Sequence, residues 1–223
     1  MKDYFNEDCM QGMKRYPDKF FDLAIVDPPY GINIGGNSTT IGGRGVAQPK
    51  QYTMFDDTTA PNEDYFKELQ RVSKQQIIWG GNYFLDHLGA TQCLLIWDKG
   101  RRGINFADCE VAWTNIDDSC RIYAFIWDGM RQEDMKNKEH RIHPTQKPVA
   151  LYKWLLSRYA KQGDKILDTH CGSASSLIAC EALGFDYVGF EISEEYYKQS
   201  KERLDQFKAQ VSIADLLGDW RFP

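Results

Sequence analysis

The chain is punctuated by short apolar runs that stop abruptly at glycine, proline or aspartate, and the stretches between them repeat at helical period. The runs are Asp22-Leu23-Ala24-Ile25-Val26, Gln76-Ile77-Ile78-Trp79, Leu94-Leu95-Ile96-Trp97, Glu110-Val111-Ala112-Trp113, Lys165-Ile166-Leu167 and Tyr187-Val188-Gly189-Phe190. Several are apolar at almost every position, a pattern that suits a strand buried on both faces. Strands alternating with helices predict an α/β fold, a mostly parallel sheet covered by helices on both sides. At 223 residues the chain has room for one such domain, spanning 1–223, with elaborated loops.

Four helices are legible between the runs. Asn62 caps one whose Tyr65, Phe66, Leu69 and Val72 share a face. Pro148 starts another, carrying Leu151, Trp154, Leu155 and Tyr159. Ser175 to Leu183 forms a third, stopped by Gly184, and Ser193 caps a fourth whose Glu194 and Glu195 oppose the positive end of its dipole. Two segments resist this reading. The glycine-rich residues 31–60 and the polar residues 114–142 read as long loops, which in a compact domain are where a substrate is met.

Charge narrows the function less than it first suggests. There are 32 acidic and 27 basic residues, a net −5 that argues against gripping nucleic acid through the overall field. Residues 1–163 are balanced at 21 of each sign, whereas residues 164–223 hold 11 acidic and 6 basic, so the last quarter carries the whole excess. The longest uninterrupted apolar run, Cys93 to Trp97, is far short of the roughly 18 residues of a membrane span, and Met1-Lys2-Asp3-Tyr4 opens no signal peptide. A soluble intracellular protein is expected. Six cysteines without a C-x-x-C pair read as reduced thiols, and the His140/His143 pair has no cysteine partner nearby, so no metal site is expected.

Two strand ends carry chemistry. The first run ends in Asp27-Pro28-Pro29-Tyr30, beyond the carboxyl end of a strand, where open α/β sheets bind ligands. The prolines fix φ and donate no N–H, so the turn is stiff and frees the Pro28 carbonyl for a ligand. That carbonyl, the Asp27 carboxylate and the Tyr30 ring suit a planar group bearing an exocyclic amine. A turn whose aspartate caps the next element is the plainer alternative. Downstream, Asp168-Thr169-His170-Cys171-Gly172-Ser173-Ala174 joins a strand to a helix start through small residues, which admit a ligand close to the backbone and to free N–H groups. Glu191 ends the following strand about 20 residues on, the placement of a ribose-binding carboxylate.

The Asp27–Tyr30 turn resembles the [DNS]-P-P-[YFW] signature of amino-methyltransferases, which move a methyl group from S-adenosylmethionine to the exocyclic nitrogen of adenine or cytosine in DNA. Asp168–Ala174 is similar to that family's cofactor motif D-P-F-x-G-S-G-T, with Thr169, His170 and Ala174 in place of proline, phenylalanine and the second glycine. His143-Pro144-Thr145-Gln146-Lys147-Pro148 resembles H-x-T-[EQ]-K-P, and Asp8-Cys9 resembles a G-D-[CS] element whose glycine is here Glu7. Catalytic turn before cofactor loop is the circularly permuted order of the beta class. The resemblance covers residues 4–205 and implies a Rossmann-like, mostly parallel seven-stranded sheet.

It also implies roles. Asp27, Pro28, Pro29 and Tyr30 are catalytic; Asp8, Asp27, His143, Thr145, Lys147, Asp168, His170, Cys171, Gly172, Ser173, Ala174 and Glu191 hold S-adenosylmethionine. The partner is a DNA duplex whose target base flips out onto Tyr30. Lys99, Arg101, Arg102, Arg131, Lys136, Lys138 and Arg141 are candidate phosphate contacts, or equally solvated surface. A D-P-P-Y turn favours adenine N6 over cytosine N4, and over the RNA and protein-glutamine enzymes that usually carry N-P-P-[YF]. A non-catalytic cofactor- or DNA-binding remnant is the reading from another class. Beta-class relatives often dimerise, and a short recognition site or a dimer sharing the task is expected.

Overall fold

A computed structural model of the chain describes residues 1–32, 57–100, 102, 107–128 and 131–217. In order the elements are β1 (Lys2–Asn6), α1 (Cys9–Met13), β2 (Phe21–Val26), α2 (Glu63–Val72), β3 (Ser73–Trp79), α3 (Leu85–Leu88), β4 (Leu94–Asp98), β5 (Cys109–Thr114), β6 (Arg121–Ala124), β7 (Trp127–Asp128), β8 (Arg131–Gln132), α4 (Val149–Tyr159), β9 (Lys165–Asp168), α5 (Ser175–Leu183), β10 (Asp186–Glu191) and α6 (Glu194–Leu217). Eight strands form one sheet in the order β1-β10-β9-β2-β3-β5-β4-β6, and β7 pairs with β8 in a separate hairpin. Neighbours from β1 to β3 are parallel, β5 runs antiparallel to both β3 and β4, and β6 pairs with β4 in parallel. The mostly parallel α/β sheet expected from the sequence is therefore present, with eight strands rather than seven.

Alternation along the strands explains why both faces are covered. Leu23, Ile25, Ile77, Trp79, Ile166 and Tyr187 enter one core layer with Leu151 and Leu155 of α4 and Leu177 of α5. Ala24, Val26, Ile78, Leu167, Val188 and Phe190 enter the other, with Tyr65, Phe66, Leu69 and Val72 of α2. Each large side chain so buried contributes about 2 kcal/mol. The Asn62 carboxamide accepts the Tyr65 N–H at 3.3 Å, the cap its sequence position predicts. Ser193 likewise caps α6, and Gly184 ends α5 at φ 76°.

Of the two long loops expected, one is described only at its ends and the other holds strands. Most of 31–60 lies outside the described residues. The 114–142 segment is not one loop: it contains β6 and the β7–β8 hairpin, whose short, half-exposed strands lack a continuous apolar run. No described helix is long and apolar enough to cross a membrane.

Candidate active site

Strand order places the site. The crossover from β9 through α5 to β10 steps toward one edge of the sheet, and that from β2 through α2 to β3 steps toward the other. The direction reverses between β9 and β2, and a crevice opens there at the carboxyl ends. Asp168 ends β9 and Asp27 follows β2, so the two motifs meet at this switch point although 141 positions separate them (168 − 27). Because β4 and β6 run parallel to β3, the segments after Asp98 and Ala124 leave from the same edge.

The Asp27 carboxylate is fully engaged. Tyr30 donates its hydroxyl to Oδ1 at 2.6 Å, and the Lys147 ammonium sits on Oδ2. Lys147 is 3% exposed and also reaches Glu110 Oε2 at 3.0 Å and the Tyr30 oxygen at 3.3 Å. Burial pulls the Lys147 pKa down, but Asp27 and Glu110 outweigh it and the net direction is up. Burial pushes the Glu110 carboxyl up, and the Lys147 and Lys99 ammoniums outweigh that to hold it at about 2. Burial, then Asp27, raises the Tyr30 pKa, so the phenol stays a donor. Its ring stacks on Tyr83 at 5.0 Å, and the backbone N–H groups of Tyr30 and Gly31 donate to the buried Asp57 carboxylate at 2.6 and 3.2 Å. Lys147, for which the resemblance implies a cofactor contact, thus packs on the Asp27–Tyr30 turn. In this conformation the Tyr30 ring lies closed over Asp27.

The Asp168–Ala174 loop is held by hydrogen bonds from its own backbone and from the start of α5. Gly172 (φ 50°) donates its N–H to Glu191 Oε2 at 2.8 Å, and Ser193 donates to Glu191 Oε1 at 2.9 Å. The His170 N–H reaches Asp168 Oδ1 at 3.0 Å and the Ser176 hydroxyl holds Oδ2. Asp168 is 2% exposed, and burial pushes its carboxyl up to about 7 against those two donors. Among the described residues neither Asp168 nor Glu191 has a cationic partner. Ala174 adopts φ 57°, the left-handed conformation natural to the glycine of the resembled motif; the cost of about 1 kcal/mol is offset by the burial of its methyl group. Gly189 is required beneath the loop, since a Cβ there would lie 2.6 Å from Cys171 Sγ. That thiol is turned into the core, so Cys171 meets the crevice through its backbone alone.

His143 and Thr145 do reach the loop. The imidazole packs on Tyr196 at 4.4 Å and against Gly172, its Nδ1 lies 3.0 Å from the Thr145 hydroxyl, and burial, then Lys147 and Arg141, lowers its pKa to about 3. His170 is held neutral by burial, at about 4, in a chain from Tyr65 OH to Thr169 Oγ1 (2.7 Å) to His170 Nδ1 (2.9 Å). Asp8 sits at the same edge but is the cap of α1, accepting the Gln11 N–H at 3.1 Å. The phosphate-contact candidates divide. Arg131, Lys136 and Lys138 are exposed on the segment after β6. Lys99 is tied to Glu110, Arg102 to Asp98 at 2.7 Å, and Arg141 to the Pro144 carbonyl and the Trp127 ring. Arg101 lies outside the described residues.

Sequence reasoning missed Asp57, Glu110, Glu139 and Arg203. Arg203 of α6 donates to the Ser173 carbonyl at 2.7 Å, to Ser175 Oγ at 3.0 Å and to Glu139 at 2.7 Å, and Glu139 also accepts the Val149 N–H at 3.0 Å. This strut ties the cofactor loop to the start of α4, just after Lys147. Glu139→Ala leaves two part-buried donors without an acceptor; chemical denaturation is expected to show a loss of about 2 kcal/mol, and an unchanged midpoint would show the strut idle.

The solved M1.HpyAVI–SAM complex shares this fold with a TM-score of 0.57, at 18% identity, over 91% of this chain and 100% of that one. The solved PvuII cytosine-N4-specific DNA methyltransferase has the same fold, with a TM-score of 0.57 at 12% identity over 93% of this chain and 91% of that one. Residues 112–202 match a family model described as DNA methylase. Type II methyltransferase M.HpaI of Haemophilus parainfluenzae is 41% identical over 69 residues, which are 31% of this chain and 22% of that protein. Type II methyltransferase M.HinfI of Haemophilus influenzae is 25% identical, with 94% of this chain and 70% of that protein aligned.

Proposed function

We propose that the chain transfers a methyl group from S-adenosylmethionine to the N6 amine of adenine in DNA. The observation that carries this reading is the meeting of the Asp27 turn with the Asp168 loop at the switch point, beside two carboxylates without cationic partners. Those carboxylates fit the ligand: Glu191 suits ribose hydroxyls, and Asp168 suits an ammonium group. When bound, S-adenosylmethionine supplies a sulfonium methyl electrophile, so no cysteine nucleophile is needed. Asp27 and the Pro28 carbonyl accept hydrogen bonds from the target amine and favour a pyramidal nitrogen whose lone pair faces the methyl. The proton the amine then sheds passes first to Asp27. Tyr30 leaves Asp27 as the flipped base enters and covers the base with its ring. Arg131, Lys136 and Lys138 supply salt-sensitive phosphate contacts.

Aspartate at the first position of the D-P-P-Y turn favours adenine, since cytosine-N4 enzymes more often have serine there. Expression in a methylation-free host followed by modification-sensitive sequencing tests the reading. Modified adenine is expected with the wild type and not with Asp27→Ala; no modified base, or modification that survives the substitution, would sink it.

The buried acid gives a pH signature. Asp168 is raised from 3.8 to about 7, so its contribution to stability declines as pH rises from about 4 through 7. A cationic ligand beside it favours the ionised form and expels the proton. Calorimetry near pH 6, in buffers of different ionisation enthalpy, is expected to show nearly one proton released on cofactor binding, with affinity rising toward pH 7. Binding without proton release would place the ammonium elsewhere.

A further inference from the structure

Glu110 lies outside every motif read in the sequence, yet it stands at the catalytic turn. Because β5 runs antiparallel to β3, it begins at the carboxyl edge, where Glu110 receives Lys147 at 3.0 Å and the Lys99 ammonium as well. The two cations lie over two indole rings, Lys147 at 5.5 Å from Trp79 and Lys99 at 5.1 Å from Trp97. The result is a four-residue cluster, Asp27–Lys147–Glu110–Lys99, with two charges of each sign.

On the methyl-transfer reading above, the target amine takes Asp27 Oδ1 as Tyr30 leaves it and then gives its proton to that carboxylate, a transfer opposed by an ammonium held on Oδ2. A buried ammonium cannot be moved off one carboxylate unless another anion takes it. We propose that Glu110 is a positioning residue for methyl transfer, the carboxylate that draws Lys147 off Asp27 while Asp27 takes the substrate amine and its proton. Without Glu110 the lysine stays on Asp27 and opposes that transfer, while the cofactor carboxylates Asp168 and Glu191 are untouched.

The test uses the full chain, tritiated S-adenosylmethionine and unmodified DNA from a methylation-free host, with single-turnover rates and cofactor Kd measured side by side. Glu110→Gln is expected to slow transfer about ten- to a hundredfold with cofactor Kd unchanged. Glu110→Asp, which keeps the charge, is expected to restore much of the rate, and adding Lys147→Gln to Glu110→Gln to speed transfer by removing the opposing ammonium. A wild-type rate in Glu110→Gln, a cofactor Kd weakened in step with the rate, or a double variant slower than Glu110→Gln would each overturn the proposal. Should Glu110→Gln not fold, Glu110→Asp combined with Lys147→Gln carries the same cycle: non-additive effects are expected, and additive ones overturn it. A wild type inactive on all DNA tested would overturn the methyl-transfer reading as well, whereas an active wild type with an indifferent Glu110→Gln overturns this proposal alone.

Discussion

Asp27→Ala is expected to reduce methyl transfer by about a thousandfold or more while cofactor affinity stays within a few-fold of wild type. On the proposed mechanism the carboxylate is the acceptor that shapes the amine for attack, and no neighbour substitutes for it, because Glu110 is already bound to two lysines. The cofactor contacts attributed to Asp168 and Glu191 sit on other strands and are unaltered. Lys147 retains Glu110 as a partner, so the fold should tolerate the change. Asp27→Asn keeps one carbonyl acceptor but loses the charge and is expected to fall between the two. Rapid-quench transfer assays with parallel calorimetry separate the effects; a fall in cofactor affinity matching the fall in rate would relocate Asp27 to the cofactor site.

Gly80→Ala should be the most damaging change at a residue without a functional group. Gly80 follows β3 with φ 69°, a conformation that costs an alanine about 1 kcal/mol. The larger effect is steric, because a Cβ there would overlap the Tyr30 ring. The ring must shift from its stack on Tyr83, and with it goes the surface on which the base is to lie. A displacement of about 1 Å at a reacting centre costs on the order of a hundredfold in rate, so transfer should fall by that order with cofactor Kd unchanged. Single-turnover rates near those of wild type would show that the close approach of Gly80 and Tyr30 is unimportant to turnover.

The parts of the fold legible in the sequence are those whose cause is local. Leu23–Val26, Ile166–Leu167 and Tyr187–Phe190 read as uninterrupted apolar runs because helices cover both faces. Asn62, Ser193 and Gly184 mark helix ends for reasons contained within a few residues. By contrast β1, Lys2-Asp3-Tyr4-Phe5-Asn6, pairs on one side only and stays partly exposed, so nothing in its composition announces a strand. β6 was hidden at the opposite edge for the same reason. Glu110 could not be found from sequence, since its role depends on the register of β5 against β4 and on Lys147 arriving from 37 positions away (147 − 110).

The site divides in the same way. Motif spacing singled out Asp27, Asp168 and Glu191 as candidates, whereas the contacts of Lys147 with Asp27 and of the Asp8 carboxylate with the start of α1 depend on the fold. The acidic excess of residues 164–223 also takes on structural meaning, because among the described residues its Asp168 and Glu191 are largely buried carboxylates without a cationic partner.

On the proposed function the chain methylates adenine N6 in DNA, with Asp27 beside the Asp168 loop holding the target amine. The most direct measurement incubates the purified chain with tritiated S-adenosylmethionine and DNA from a methylation-free host, digests the product to nucleosides and identifies the labelled one by chromatography and mass. Label in N6-methyladenine, lost with Asp27→Ala, is the predicted result. Label in N4-methylcytosine would contradict the base assignment, and cofactor binding without label in any nucleoside would contradict the account as a whole.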